Sequence, residues 1–118
     1  MASFSKYQKG LLAVKEKIDE DITSHTSVKQ LAQIAGVSKS KLKILFKNEY
    51  GKSIYTYLKE KRIIEAKHLL LNTSLLIKDI ATKTGFKFHT NFATFFTKHV
   101  NQSPYSYRKL KGKKHSKD

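Results

Sequence analysis

Cysteine is absent from the sequence, which removes disulfides, thiolate metal sites and cysteine nucleophiles together. Long apolar runs are absent as well. No segment approaches the 18 consecutive apolar residues of a membrane-spanning helix, and MASFSKYQKG at the N-terminus has no apolar stretch of signal-peptide type. Glycine-rich phosphate loops are missing, and His25, His68, His89, His99 and His115 show no paired spacing for a metal. No stretch alternates apolar and polar residues as a strand would. The scarcest commodity is negative charge: nine acids face 24 Lys/Arg in 118 residues, a formal charge of +15. Four of those acids, Glu16, Asp19, Glu20 and Asp21, lie within six residues. From Ile22 to Lys117, twenty basic residues meet only Glu49, Glu60, Glu65 and Asp79. A basic body of this kind attracts polyanions, because neutralising phosphates releases condensed counterions. The plain alternative is a lysine-rich solvated surface.

What is present is said twice. Leu31-Ala32-x3-Gly36-Val37 returns as Ile80-Ala81-x3-Gly85-Phe86, a shift of 49. Leu42, Phe46, Tyr50, Ser53 and Tyr57 return as Phe92, Phe96, Val100, Ser103 and Tyr107, a shift of 50. The expected fold class is all-α: two helix-turn-helix subdomains joined by a long linker helix, with about seven helices. Leu11, Val14, Ile18 and Ile22 share a face, so a helix is expected over 10–23. Ser27 and Gln30 form a capping box for a helix to Ala35, with Val28, Leu31 and Ala35 inward. Gly36 supplies the left-handed turn and Ser38 caps a helix over 39–50, with Leu42, Leu45, Phe46 and Tyr50 inward. Gly51 closes it. Ile54, Leu58, Arg62, Ala66, Leu69 and Leu70 share a face of a helix over 54–71. The second copy places helices near 77–84 and 89–100, with Ile80, Ala81, Phe92, Phe95 and Phe96 inward. Asn101 stands in for Gly51, and Ser103-Pro104 starts a last short helix. The organisation expected is a loose lead-in over 1–9, a first unit over 10–52, the linker helix over 53–72, a second unit over 73–109 and a disordered basic tail over 110–118.

In a helix-turn-helix the second helix enters the DNA major groove. Outward from the first such helix stand Lys39, Ser40, Lys43, Ile44 and Lys47. From the second stand Lys87, His89, Thr90, Asn91, Thr94, Thr97 and Lys98. Lysine can donate to guanine O6 and N7, asparagine can pair with adenine, and isoleucine or threonine can touch a thymine methyl. The expected base readers are therefore Lys39, Ser40, Lys43, Ile44, His89, Thr90, Asn91 and Thr94. Ser27, Ser38, Lys41, Lys47, Lys78, Lys87 and Lys98 are the expected phosphate contacts. A linker of about 18 residues is roughly 27 Å long and one turn of B-DNA about 34 Å. Both readers could thus reach successive major grooves if the DNA bends or one helix seats poorly. No metal, cofactor or catalytic constellation is expected, and the chain does not read as an enzyme.

Taken together, Leu31-Ala32…Gly36-Val37-Ser38…Leu42…Leu45-Phe46-Lys47…Gly51-Lys52-Ser53…Tyr57-Leu58 resembles the first helix-turn-helix of AraC/XylS-family regulators. Arg62…Ala66…Leu69-Leu70 resembles their linker helix, and Ile80-Ala81…Gly85-Phe86…Phe92…Phe96…Ser103-Pro104…Tyr107-Arg108 their second-unit signature. The resemblance implies a seven-helix, double-stranded-DNA-binding domain of a bacterial transcription regulator, usually an activator that also touches RNA polymerase, acting in the cytoplasm on the nucleoid. The family's base-reading places match Ser40, Lys43, Ile44, His89, Thr90 and Thr94. Ile44 and Thr94 stand where many members carry arginine or another strong polar reader. Lys87 and Phe88 replace a serine-acidic pair, and Thr97 a common lysine. These departures imply more reliance on phosphate contacts and DNA shape in the second unit. Many members carry an N-terminal effector or dimerisation domain. None is present here, so the chain is expected to be a stand-alone regulator or the C-terminal piece of one. The rival expectations are a sequence-tolerant architectural DNA-bending protein and a basic module for proteins or anionic membranes.

Overall fold

The computed structural model describes residues 6–23 and 26–111. Among them are seven α-helices and no strand: α1 (Gln8–Glu20), α2 (Val28–Ala35), α3 (Lys39–Tyr50), α4 (Ile54–Asn72), α5 (Ile77–Lys83), α6 (His89–Val100) and α7 (Pro104–Lys111). The chain divides into two compact units, with the boundary between Lys59 and Glu60, inside α4. The all-α architecture is as the sequence predicts.

In the first unit Leu11, Val14 and Ile18 of α1 bury one face against Leu31 and Ala32 of α2 and Leu42 and Phe46 of α3. Val28, Ala35, Leu45, Tyr50, Ile54 and Leu58 pack around them, partly buried. In the second unit the core is Ala66, Leu69 and Leu70 of α4, Ile80 and Ala81 of α5, and Phe92 and Phe96 of α6.

The first helix differs from expectation at both ends. It starts at Gln8, inside the expected lead-in, and stops at Glu20, so Ile22 lies beyond it. Asp19, Glu20 and Asp21 sit at the negative end of the helix dipole, which disfavours extending it. The Asp21 carboxylate also accepts from the backbone N–H and the hydroxyl of Thr23, closing a turn there. Gly10, taken as the helix start, is the third residue of α1. A Cβ at Gly10 would lie 2.8 Å from the Ala35 carbonyl oxygen, so glycine lets α1 and α2 approach. At the other end α7 continues through Lys111, so Lys109, Leu110 and Lys111, expected in or next to the tail, are helical. The remainder of that tail, residues 112–118, and the start of the lead-in, residues 1–5, lie outside the described residues.

The repeat holds at the level of single hydrogen bonds. After α2, Gly36 N–H donates to Gln33 O (3.1 Å) and Val37 N–H to Ala32 O (3.1 Å). After α5, Gly85 N–H donates to Thr82 O (3.0 Å) and Phe86 N–H to Ala81 O (2.9 Å). Both are Schellman closures around a glycine with positive φ, 73° and 95°. Gly51 and Asn101 end α3 and α6 in the left-handed region, with N–H bonds of 2.8 Å to Lys47 O and Thr97 O. Ser53 Oγ accepts from Thr56 N–H and Ser103 Oγ from Ser106 N–H, so the same cap opens α4 and α7. Even the ring pairs correspond. Phe46 meets Tyr57 edge-on at 5.7 Å, and Phe96 meets Tyr107 at 5.5 Å.

The copies part at two helix starts. Ser27 and Gln30 form the reciprocal capping box of α2, and Ser38 Oγ accepts from Lys41 N–H (3.1 Å) to open α3. At the matching places Leu76 and Phe88 open α5 and α6 with no side-chain cap.

Candidate nucleic-acid interface

The two helix-turn-helix pairs are α2–α3 and α5–α6. In α3, Leu42 and Phe46 are fully buried, which fixes the helix's rotation. Lys39, Ser40, Lys43, Ile44 and Lys47 consequently stand exposed, as the spacing of the apolar positions requires. In α6, burial of Phe92 and Phe96 does the same for His89, Thr90, Asn91, Thr94, Thr97 and Lys98. The helix-end candidates Ser27, Ser38, Lys41, Lys78 and Lys87 are exposed too. All residues singled out from the sequence are therefore on the surface, divided between the units: Ser27 and residues 38–47 in the first, residues 78–98 in the second.

Three features of this surface have no signal in the sequence. The first is Tyr7, which lies in the expected lead-in. Its hydroxyl oxygen accepts from Lys41 Nζ at 2.7 Å, and the ammonium lies 4.4 Å from its ring centroid. That ammonium pulls the Tyr7 hydroxyl below its ordinary range. Lys41 thus stands at the start of α3 already engaged by the residue that leads into α1. The partners are 34 residues apart, so no local pattern links them. The second is a groove of about 640 Å³ in the first unit, whose floor includes Ile18, Leu31 and Leu58 and whose edge carries Lys43, Ile44 and Lys47. The third is Arg108, whose guanidinium donates to Leu70 O (3.0 Å), Leu75 O (2.7 Å) and Thr73 O (3.1 Å), with Leu69 O at 3.5 Å. These include carbonyls that the end of α4 leaves without intrahelical partners, and the arginine ties α7 to them. The sequence resemblance includes Arg108 without assigning it this role.

A second fixed point braces α1 within the first unit. The Tyr57 hydroxyl donates to the Asp19 carboxylate, and Lys15 pairs with Asp19 at 3.2 Å. Burial, and then the hydrogen-bonded carboxylate, push the Tyr57 hydroxyl well above its ordinary range.

Paired glycine-turned helices of this kind, each with an exposed polar second helix, define a helix-turn-helix DNA-binding domain. Comparison with known proteins agrees. The family model described as a helix-turn-helix domain matches residues 31–110. The lactose operon transcription activator of Staphylococcus xylosus is 36% identical over 91 residues, covering 77% of this chain and 33% of that protein. The AraC-type transcriptional regulator structure from Chromobacterium violaceum is 29% identical with a TM-score of 0.76, covering 86% of this chain and 91% of that one. The DNA-binding domain of the global transcriptional factor AdpA, solved with a target DNA, has the same fold at 22% identity, with a TM-score of 0.83 and coverage of 90% and 96%. The chain belongs to the AraC-type helix-turn-helix family. It spans about a third of the length of the curated relatives it matches.

Proposed function

We propose that this chain is the DNA-binding part of a sequence-specific transcription activator in the bacterial cytoplasm, placing α3 and α6 in successive major grooves. The reading is carried by the duplicated unit. Each copy holds its second helix by a buried two-residue anchor, Leu42 with Phe46 or Phe92 with Phe96, and so presents a defined row of outward side chains. Lys39, Ser40, Lys43 and Ile44 read bases in one half-site, and His89, Thr90, Asn91 and Thr94 in the other. Ser27, Ser38, Lys41, Lys47, Lys78, Lys87 and Lys98 hold phosphates. The two rows differ in chemistry, lysine-rich against neutral polar, so the half-sites are unlike. RNA polymerase is the proposed protein partner, in keeping with relatives named as transcription activators. An effector or dimerisation domain is proposed as a further partner, in keeping with curated relatives of whose length this chain spans about a third.

Selection of bound sequences from a random DNA pool, followed by footprinting, tests this. The expected result is one preferred site of two unlike halves, their centres roughly 10 base pairs apart. Binding that competition with random DNA abolishes, leaving no preferred site, would instead establish a sequence-tolerant architectural binder.

A further inference from the structure

We propose that Phe88 is a specificity-determining residue: its ring contacts the C5-methyl group of a thymine at the edge of the second half-site. The inference rests on the DNA-binding reading above and adds a residue to it.

Phe88 occupies the N-cap of α6, immediately before His89 and Thr90 of the exposed first turn. At the matching position in the first unit, fifty residues earlier, Ser38 caps α3 through its hydroxyl. Phenylalanine has no acceptor, and α6 has no side-chain cap. The chain therefore gives up a stabilising helix cap at this point. It does not gain core packing in return. Among the described phenylalanines, Phe46, Phe92 and Phe96 are fully buried, and Phe86 and Phe95 stack at 4.9 Å. Phe88 is 56% exposed.

The chemistry of the neighbours selects the target. Outward side chains of the α6 reading row, His89, Thr90, Asn91 and Thr94, are all polar or weakly amphiphilic. In the major groove the one apolar feature of a base is the thymine methyl, while the edges of guanine, adenine and cytosine carry polar groups that a phenyl ring would desolvate without partners. Lys87 Nζ lies 5.6 Å from the ring centroid, which puts an ammonium beside the phenyl. Such a pair can hold a phosphate with one member and the adjacent thymine with the other. The first reader has its own exposed apolar side chain, Ile44 at 62%, in a different turn of its helix. The two readers thus seek methyl groups at different offsets.

The test compares the wild-type chain with Phe88→Ser and Phe88→Leu on the selected site, replacing each thymine of the second half-site by deoxyuridine. The expected result is one position at which methyl loss weakens the wild type about fourfold, the worth of one buried methyl group. Phe88→Ser should be indifferent to that replacement, and Phe88→Leu intermediate. The melting temperature of Phe88→Ser should be unchanged or higher, since serine restores a cap. The proposal is overturned if no methyl matters, if Phe88→Ser keeps the deoxyuridine penalty, or if Phe88→Ser changes the oligomeric state and not the base preference. A wild-type chain that selects no sequence at all would bring down the DNA-binding reading, and this inference with it.

Discussion

Single side chains here fall into those that hold and those that are held out. Lys43 is held out by the buried Leu42 on one side and Phe46 on the other. Lys43→Ala should cost about 1–3 kcal/mol on the preferred site and relax one base position. Binding profiles of the two proteins over single-base variants check this, and an unchanged profile removes Lys43 from the readers. Arg108 is of the holding kind. Arg108→Ala withdraws a charged donor from a cluster of carbonyls and should destabilise the second unit by about 2–4 kcal/mol, read by hydrogen exchange in α5 to α7. Arg108→Lys should recover little, since an ammonium lacks the planar fork that spans several acceptors. The sequence makes the first kind of residue legible and hides the second. Outward position follows from the 3.6-residue period alone. The carbonyls around Arg108 lie 33 to 39 residues away and carry no side-chain identity to betray them.

Elements are legible where their ends are signalled locally. Both ends of α3 and the end of α6 match the sequence reading, because Ser38, Gly51 and Asn101 mark them by their own chemistry. The α1 bounds do not, because the acids that end it act through charge on the whole helix and its start is anchored far away by Lys41. Gly10 is the instructive residue. Judged by helix propensity, Gly10→Ala should stabilise α1 by about 0.5–1 kcal/mol. Judged by the 2.8 Å approach to Ala35 O, it should force α1 and α2 apart. The steric effect wins, since the obstacle is backbone, so thermal melting should show a net loss of stability. The bond from α4 to α1 adds a pH dependence. A raised pKa of Tyr57 in the folded state means stability that is complete below the unfolded value of about 10 and is lost as pH rises beyond it. Denaturant titrations between pH 9 and 12 should show the first unit weakening, and Tyr57→Phe should flatten that decline.

At the scale of the whole molecule, charge matters more than any single touching pair. Residues 113, 114 and 117 add three lysines against Asp118. Removing residues 112–118 should weaken DNA binding evenly across sequences. It should also lower the slope of log affinity against log salt by about 0.9 for each phosphate left unneutralised. A changed base preference would show that these residues do more than attract phosphate. The all-α class and the duplication were legible at this scale because they are properties of spacing. The asymmetry of capping was legible only in part: Ser27 and Ser38 announce themselves, while Leu76 and Phe88 give no sign that their helices start without help.

The matched hydrogen bonds and ring pairs of the two units put the outward side chains of α3 and α6 on equivalent supports. Position n of the first reader and position n + 50 of the second hang from equivalent anchors, Leu42 or Phe92 and Phe46 or Phe96. If these residues read bases as proposed, exchanging Ile44 with Thr94, or Ser40 with Thr90, should move a base preference from one half-site to the other without touching either core. Copying one row fifty places along should give both units the same outward chemistry, and so two half-sites of like sequence.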